Sequence, residues 1–173
     1  MKRLPYLIAV LAVLAAGCSK DNPTTPAADD THPSFKATLL PANENPAIVG
    51  AEAASSGVAT IDFNLVKDAA GAITSGTVNF RVDVTGFPAG SAISNAHIHT
   101  GVAGSTAGPV LVPAGVNLGE ITLTNGAATF SRLNQTMTAV AAQQIVNNPA
   151  GYYFNVHTSA NTGGVMRGQL VKQ

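Results

Sequence analysis

The chain is poor in the residues that usually announce a function. Among 173 residues it has one cysteine, no tryptophan, and only nine basic and nine acidic side chains. A single cysteine excludes an internal disulfide framework. So even and sparse a charge balance leaves no basic stripe to release counterions from a polyanion, which excludes nucleic acid as a partner. The one sustained apolar run, residues 4–16, is short for a membrane span, and a multi-span protein would need several longer ones. Neither a Gly-x-Ser-x-Gly elbow nor a phosphate-binding loop occurs. What is plentiful is apolar residues (46%), glycine (17) and proline (10). That content is too apolar for a disordered chain, and the length suits one domain.

The first residues read as an address. Lys2 and Arg3 precede the apolar run, and Ala15-Ala16-Gly17-Cys18 closes it with small residues before the only cysteine. This arrangement resembles the lipobox of bacterial lipoproteins, in which the cysteine is acylated and becomes the new N-terminus. Residues 1–17 are thus expected to be a signal peptide, and Cys18 the point of attachment to a membrane through lipid. The mature chain would then carry seven basic and nine acidic side chains. Residues 18–33 contain Pro23, Pro26 and Pro33 among Asn, Thr, Asp and Ala, and read as a disordered tether. The expected location is the cell envelope, on the periplasmic face or the cell surface. The membrane is the one partner the sequence points to.

From Phe35 onward the hydrophobic period is two. Phe35, Ala37 and Leu39 alternate with polar or small residues, as do Ile61, Phe63 and Leu65, and Val78, Phe80, Val82 and Val84. Such runs put one face in a core and one in water. Residues 67–72 and 87–90 read as turns, 95–100 as a short strand and 101–108 as a glycine-rich loop. Asn125-Gly126 predicts a two-residue hairpin between strands at 118–124 and 127–131. Residues 136–147 carry Met137, Val140, Ala141, Gln144 and Ile145 at helical spacing, and Pro149 stops them. Two strands, 151–158 and 165–171, close the chain. Many short strands with one short helix mean an all-β fold, a Greek-key β-sandwich over residues 34–173.

Three of the four histidines fall on strands. Period two places His97 and His99 on one strand face, and Tyr153, Asn155 and His157 on one face of another. If those strands meet, three imidazoles converge as ligands suited to copper or zinc. The alternative is that the histidines are structural and hydrogen-bond the loops. Arg167 lies across a turn from His157, and Glu44 and Arg167 are candidates for a buried ion pair. One of Tyr152 and Tyr153 is expected in the core, the other near His157. His32 falls in the tether.

The blocks Phe35-Lys36-Ala37-Thr38-Leu39-Leu40-Pro41-Ala42-Asn43-Glu44-Asn45-Pro46, Ala96-His97-Ile98-His99-Thr100-Gly101, Tyr153-Phe154-Asn155-Val156-His157-Thr158 and Gly163-Gly164-Val165-Met166-Arg167-Gly168-Gln169-Leu170 resemble the CHRD domain. That domain is named after the extracellular protein chordin and recurs in bacterial secreted proteins. Asn45 and Met166 depart from the family's commoner residues. The resemblance implies an extracellular β-sandwich without an assigned reaction, a binding or structural module. A more distant likeness is to Cu/Zn superoxide dismutase. It implies His97, His99 and His157 as copper ligands and Arg167 as an anion-guiding residue; Asn155, on the His157 face, and Glu44, the expected partner of Arg167, are further candidates from the residues themselves. The zinc loop, a fourth copper histidine and the disulfide of that family are missing. The sandwich is accordingly expected to be immunoglobulin-like or superoxide-dismutase-like. Alternatives to a non-enzymatic module are a reduced copper oxidoreductase and a purely structural or adhesive envelope protein.

Overall fold

A computed structural model describes residues 30–173. The signal segment, Cys18 and most of the expected tether lie outside these residues. Among the described residues nine antiparallel strands form two sheets: β1 (Ser34–Leu39), β2 (Ser56–Lys67), β3 (Ile73–Thr85), β4 (Ile93–Thr100), β5 (Val110–Pro113), β6 (Ala128–Met137), β7 (Tyr152–Thr158), β8 (Met166–Gln169) and β9 (Val171–Lys172). The first sheet has the order β6-β3-β2-β1-β9 and the second β5-β4-β7-β8. The all-β sandwich read from the sequence is therefore the fold.

The two sheets are not alike. In β1 the burial strictly alternates after Ser34, and β2 and β3 follow the same rule over most of their lengths. Their inward residues, including Phe35, Ile61, Phe63, Phe80 and Val82, are almost wholly excluded from solvent. Phe35 meets Phe63 at 5.0 Å, and Phe80 of β3 meets Phe154 of β7 at 5.5 Å, which ties sheet to sheet. In β4, β7 and β8, by contrast, most residues are buried on both faces. One face of this second sheet carries Ala96, Ile98, Phe154, Val156 and Met166 into the core. The other carries His97, His99, Tyr153, Asn155, His157 and Arg167, all buried although outside the core. An outer sheet face rich in polar groups stays dry only if loops cover it, and three segments do, as their hydrogen bonds show below.

The two sheets are joined along one side. Leu40 and Arg167 exchange backbone hydrogen bonds at 3.2 and 3.4 Å, and the chain passes from β8 into β9 and thus from one sheet to the other.

Several elements differ from the sequence reading: β5 lies where no strand is read, β6 runs on to Met137 rather than ending at 131, and 165–171 divides between β8 and β9 in different sheets. Two further differences have a plain physical reason. The helix α1 is Ala139–Asn147, three residues shorter at its start, because Thr136 and Met137 pair with Thr77 and Gly76 as the end of β6. Thr138 then caps the helix, its hydroxyl accepting from the Ala141 amide at 3.1 Å. Ala141, Ala142 and Ile145 are its buried face. The second correction concerns residues 118–124, which form no strand. Asn125 and Gly126 do make the expected tight turn, with φ of 53° and 75°. Only the Thr124–Ala127 bridge precedes it, however. Gly126 packs so closely that a Cβ there would lie 2.2 Å from the Phe87 carbonyl oxygen. The dipeptide specified the turn but not a partner for its first arm.

Candidate metal centre

Register brings the histidines together. In the β4–β7–β8 ladder His97 lies opposite Asn155, which lies opposite Arg167; His99 lies opposite Tyr153, and His157 opposite Asn95. Side chains directly opposite on one face are nearest neighbours. His97 sits between the other two imidazoles, 4.3 Å from His99 and 4.4 Å from His157 between ring centroids, with 6.3 Å between His99 and His157. One nitrogen of each ring lies within 4.8 Å of the others. The three residues are only 6–8% exposed.

Two backbone carbonyls set which nitrogens face the cluster. A carbonyl can only accept, so His99 Nδ1 donates to Gly108 O at 2.7 Å and His157 Nδ1 donates to Thr162 O at 2.8 Å. Their protons are thereby fixed on Nδ1, and each Nε2 carries a free lone pair. Both Nε2 atoms, and Nδ1 of His97, are buried without a hydrogen-bond partner. Buried polar atoms are normally paired, so three exceptions on neighbouring rings make the cluster a candidate site. Gly108 is required where it stands: a Cβ there would fall 1.9 Å from Thr100 O.

Electrostatics keep the rings neutral. Burial, followed by the neighbouring His157 and His99, pushes His97 down to about 3. Burial also lowers His99 and His157 below the ordinary histidine value. Neutral imidazole is the form that ligates metal. The donor set therefore fits a borderline metal such as copper or zinc, held by three nitrogens from two adjacent strands.

Arg167 and Glu44 form a layer beside the cluster. The Arg167 guanidinium is 3% exposed. Its Nε donates to Asn43 O at 2.7 Å, its Nη2 donates to Ser105 O at 2.6 Å, and its carbon lies 4.7 Å over the Tyr153 ring. Glu44 Oε2 is 3.8 Å from Nε, an ion pair without a tight hydrogen bond. Burial outweighs that attraction and raises the Glu44 carboxyl to about 7. Arg167 thus holds the segments around residues 43 and 105 over the sheet, with two of its donor groups spent on carbonyls. Asn155 is buried with Oδ1 unpartnered, and Glu44 Oε1 is likewise unpartnered. Both oxygens converge on Gly164, where a Cβ would meet them at 2.8 and 2.9 Å. A cleft of ≈ 710 Å³ is lined by Glu44 and Arg167 but by none of the three histidines.

Tyr153 departs from the sequence reading. It stacks on His99, with centroids 5.0 Å apart and planes 12° apart, rather than bonding near His157, and its hydroxyl has no partner. Sequence reasoning also missed Glu52, a buried carboxylate that holds the loop after His157. Its only sequence signal is an acid amid small residues in a chain with few charges.

The titration directions make a stability prediction for the metal-free protein. The histidines titrate lower folded than unfolded. Their contribution is therefore full above about pH 6.5, lost as pH falls, and still being lost near pH 3 for His97. Glu44 acts oppositely: its contribution is present below 4.5 and lost as pH rises through about 7. In a Glu44→Gln background the thermal midpoint is expected to fall steadily from pH 6.5 to pH 4. Adding His97→Ala should flatten that slope, and an unchanged slope would contradict the assignment.

The CHRD domain family pattern matches residues 35–170. No curated protein and no solved structure matches the chain.

Proposed function

The chain belongs to the CHRD domain family, and from that premise we propose that it is a binding module of the cell envelope that holds copper or zinc through His97, His99 and His157. One observation carries the reading: three buried imidazoles each offer a ligand nitrogen within 4.8 Å of the others, and each has one buried nitrogen without a hydrogen-bond partner. Leaving such atoms unpaired costs about 1–3 kcal/mol each, which a bound cation would reverse. Two of the rings are oriented by backbone carbonyls, the usual second partner of a metal-bound histidine. A bound ion would supply a fixed positive charge and, with three protein ligands, an open coordination position. The residues themselves exclude bulk water and keep their lone pairs unprotonated. Metal analysis of the purified protein tests the reading; uptake of neither copper nor zinc above background rejects it.

The anchoring part of the proposal rests on the sequence. Positive n-region, short apolar segment and small residues before Cys18 support export followed by lipid attachment. Cys18→Ser is expected to move the protein from the membrane fraction to the soluble fraction of the producing cell. Retention of the variant in membranes would contradict the proposal.

A further inference from the structure

Glu52 lies in the single-turn helix Ala51–Ala54, far along the chain from every histidine of the cluster, and is 4% exposed. Its carboxylate accepts from three side-chain donors. Ser91 Oγ donates to Oε1 at 2.7 Å; Thr158 Oγ1 and Asn161 Nδ2 donate to Oε2 at 2.7 and 2.6 Å. The last two flank the start of the turn that follows His157. That turn is closed by Thr158 Oγ1 accepting from the Asn161 amide at 3.0 Å, and by Asn161 O accepting from the amides of Thr158 and Gly164 at 3.3 and 3.1 Å. The next residue, Thr162, supplies the carbonyl that takes the His157 Nδ1 proton. Among the described residues the His157 ring makes no other hydrogen bond, so the Thr162 carbonyl is what selects its tautomer.

We infer that Glu52 is a positioning residue for the histidine cluster: it fixes the 158–162 turn so that Thr162 O holds His157 with its Nε2 lone pair toward His97 and His99. The inference rests on the metal-site reading for its purpose, but not for its mechanism. A carboxylate is suited to this because one oxygen can accept from two donors at once, and hydrogen bonds to a charged acceptor are the stronger kind. His99 gives an internal control. Its Nδ1 proton is held by Gly108, in a loop that Glu52 does not touch.

The test compares the two imidazole Nδ1 protons of His99 and His157 by proton–nitrogen NMR of the labelled protein. Both lie on buried rings and are bonded to backbone carbonyls, and should exchange slowly in the wild type. In Glu52→Ala the His157 proton should exchange roughly ten-fold faster or vanish, with His99 unchanged, and zinc should bind about ten-fold more weakly. A His157 signal as protected as in the wild type overturns the inference. Should Glu52→Ala give no folded spectrum, Asn161→Ala decides: it removes only the amide donor to Glu52, and retention of His157 protection there overturns the inference equally. If the wild type takes up neither zinc nor copper, the metal reading falls, while the imidazole comparison still decides the role of Glu52.

Discussion

His97→Ala is expected to lose, on dialysis at neutral pH, the copper or zinc of which the wild type is expected to keep about one per chain. His97 is the residue to remove because it is central: it lies within 4.4 Å of both other rings, which are themselves 6.3 Å apart. Without it two imidazoles remain, one nitrogen short of the three-ligand set. Losing one ligand of three should weaken binding roughly a hundred-fold or more, judged from the ~10–16 kcal/mol that complete zinc sites supply. His99→Ala is a less clean test, since it also removes the stacking partner of Tyr153. The fold should tolerate the His97 change, because the ring faces away from the core that Phe80 and Phe154 join. Equal metal content in wild type and His97→Ala would show that any uptake is adventitious.

The second large effect is on stability. Arg167→Ala is expected to cost about 3–5 kcal/mol, the usual result of removing one partner from a buried charge pair. Against a typical total of ~5–15 kcal/mol this is enough to leave the protein marginal. Three losses coincide. Asn43 O and Ser105 O lose the donors that hold their loops down, and Glu44 loses the nearest positive charge. Arg167→Lys should rescue little, because a single ammonium cannot reproduce the fork that reaches both carbonyls. Adding Glu44→Gln to Arg167→Ala should recover part of the loss only well above pH 7, because without Arg167 the Glu44 carboxyl, already raised to about 7, keeps its proton at neutral pH. Urea unfolding measures all three variants; a loss under 1 kcal/mol for Arg167→Ala would mean that the loops hold themselves.

How much of this was legible in advance depends on what each residue touches. The strands of the first sheet could be read because their outward residues meet water, so Phe35, Ala37 and Leu39 alternate cleanly. The same period placed His97 with His99, and Tyr153 and Asn155 with His157, on single faces. That the two strands are neighbours is a tertiary fact, carried by register rather than by any local pattern. The residues 118–124 show the limit from the other side: a correct turn dipeptide cannot supply a ladder partner. The helix start was misplaced because Thr136 and Met137 satisfy the edge of a sheet before they can begin a helix. Glu52 was invisible since it reaches Thr158 and Asn161 across more than a hundred residues. The Glu44–Arg167 contact could be guessed only because charges are scarce, and scarcity made each one conspicuous.

The stacking of Tyr153 on His99 has an optical consequence. The chain has no tryptophan and three tyrosines, one of them Tyr6 within the expected signal segment. The mature protein's ultraviolet emission would then come from Tyr152 and Tyr153 alone, and Tyr153 lies in face contact with His99. An open-shell ion bound to that imidazole would drain the excited state of its neighbour, whereas a closed-shell ion would not. Tyr153 emission would therefore distinguish an open-shell ion at that imidazole from a closed-shell ion or an empty site.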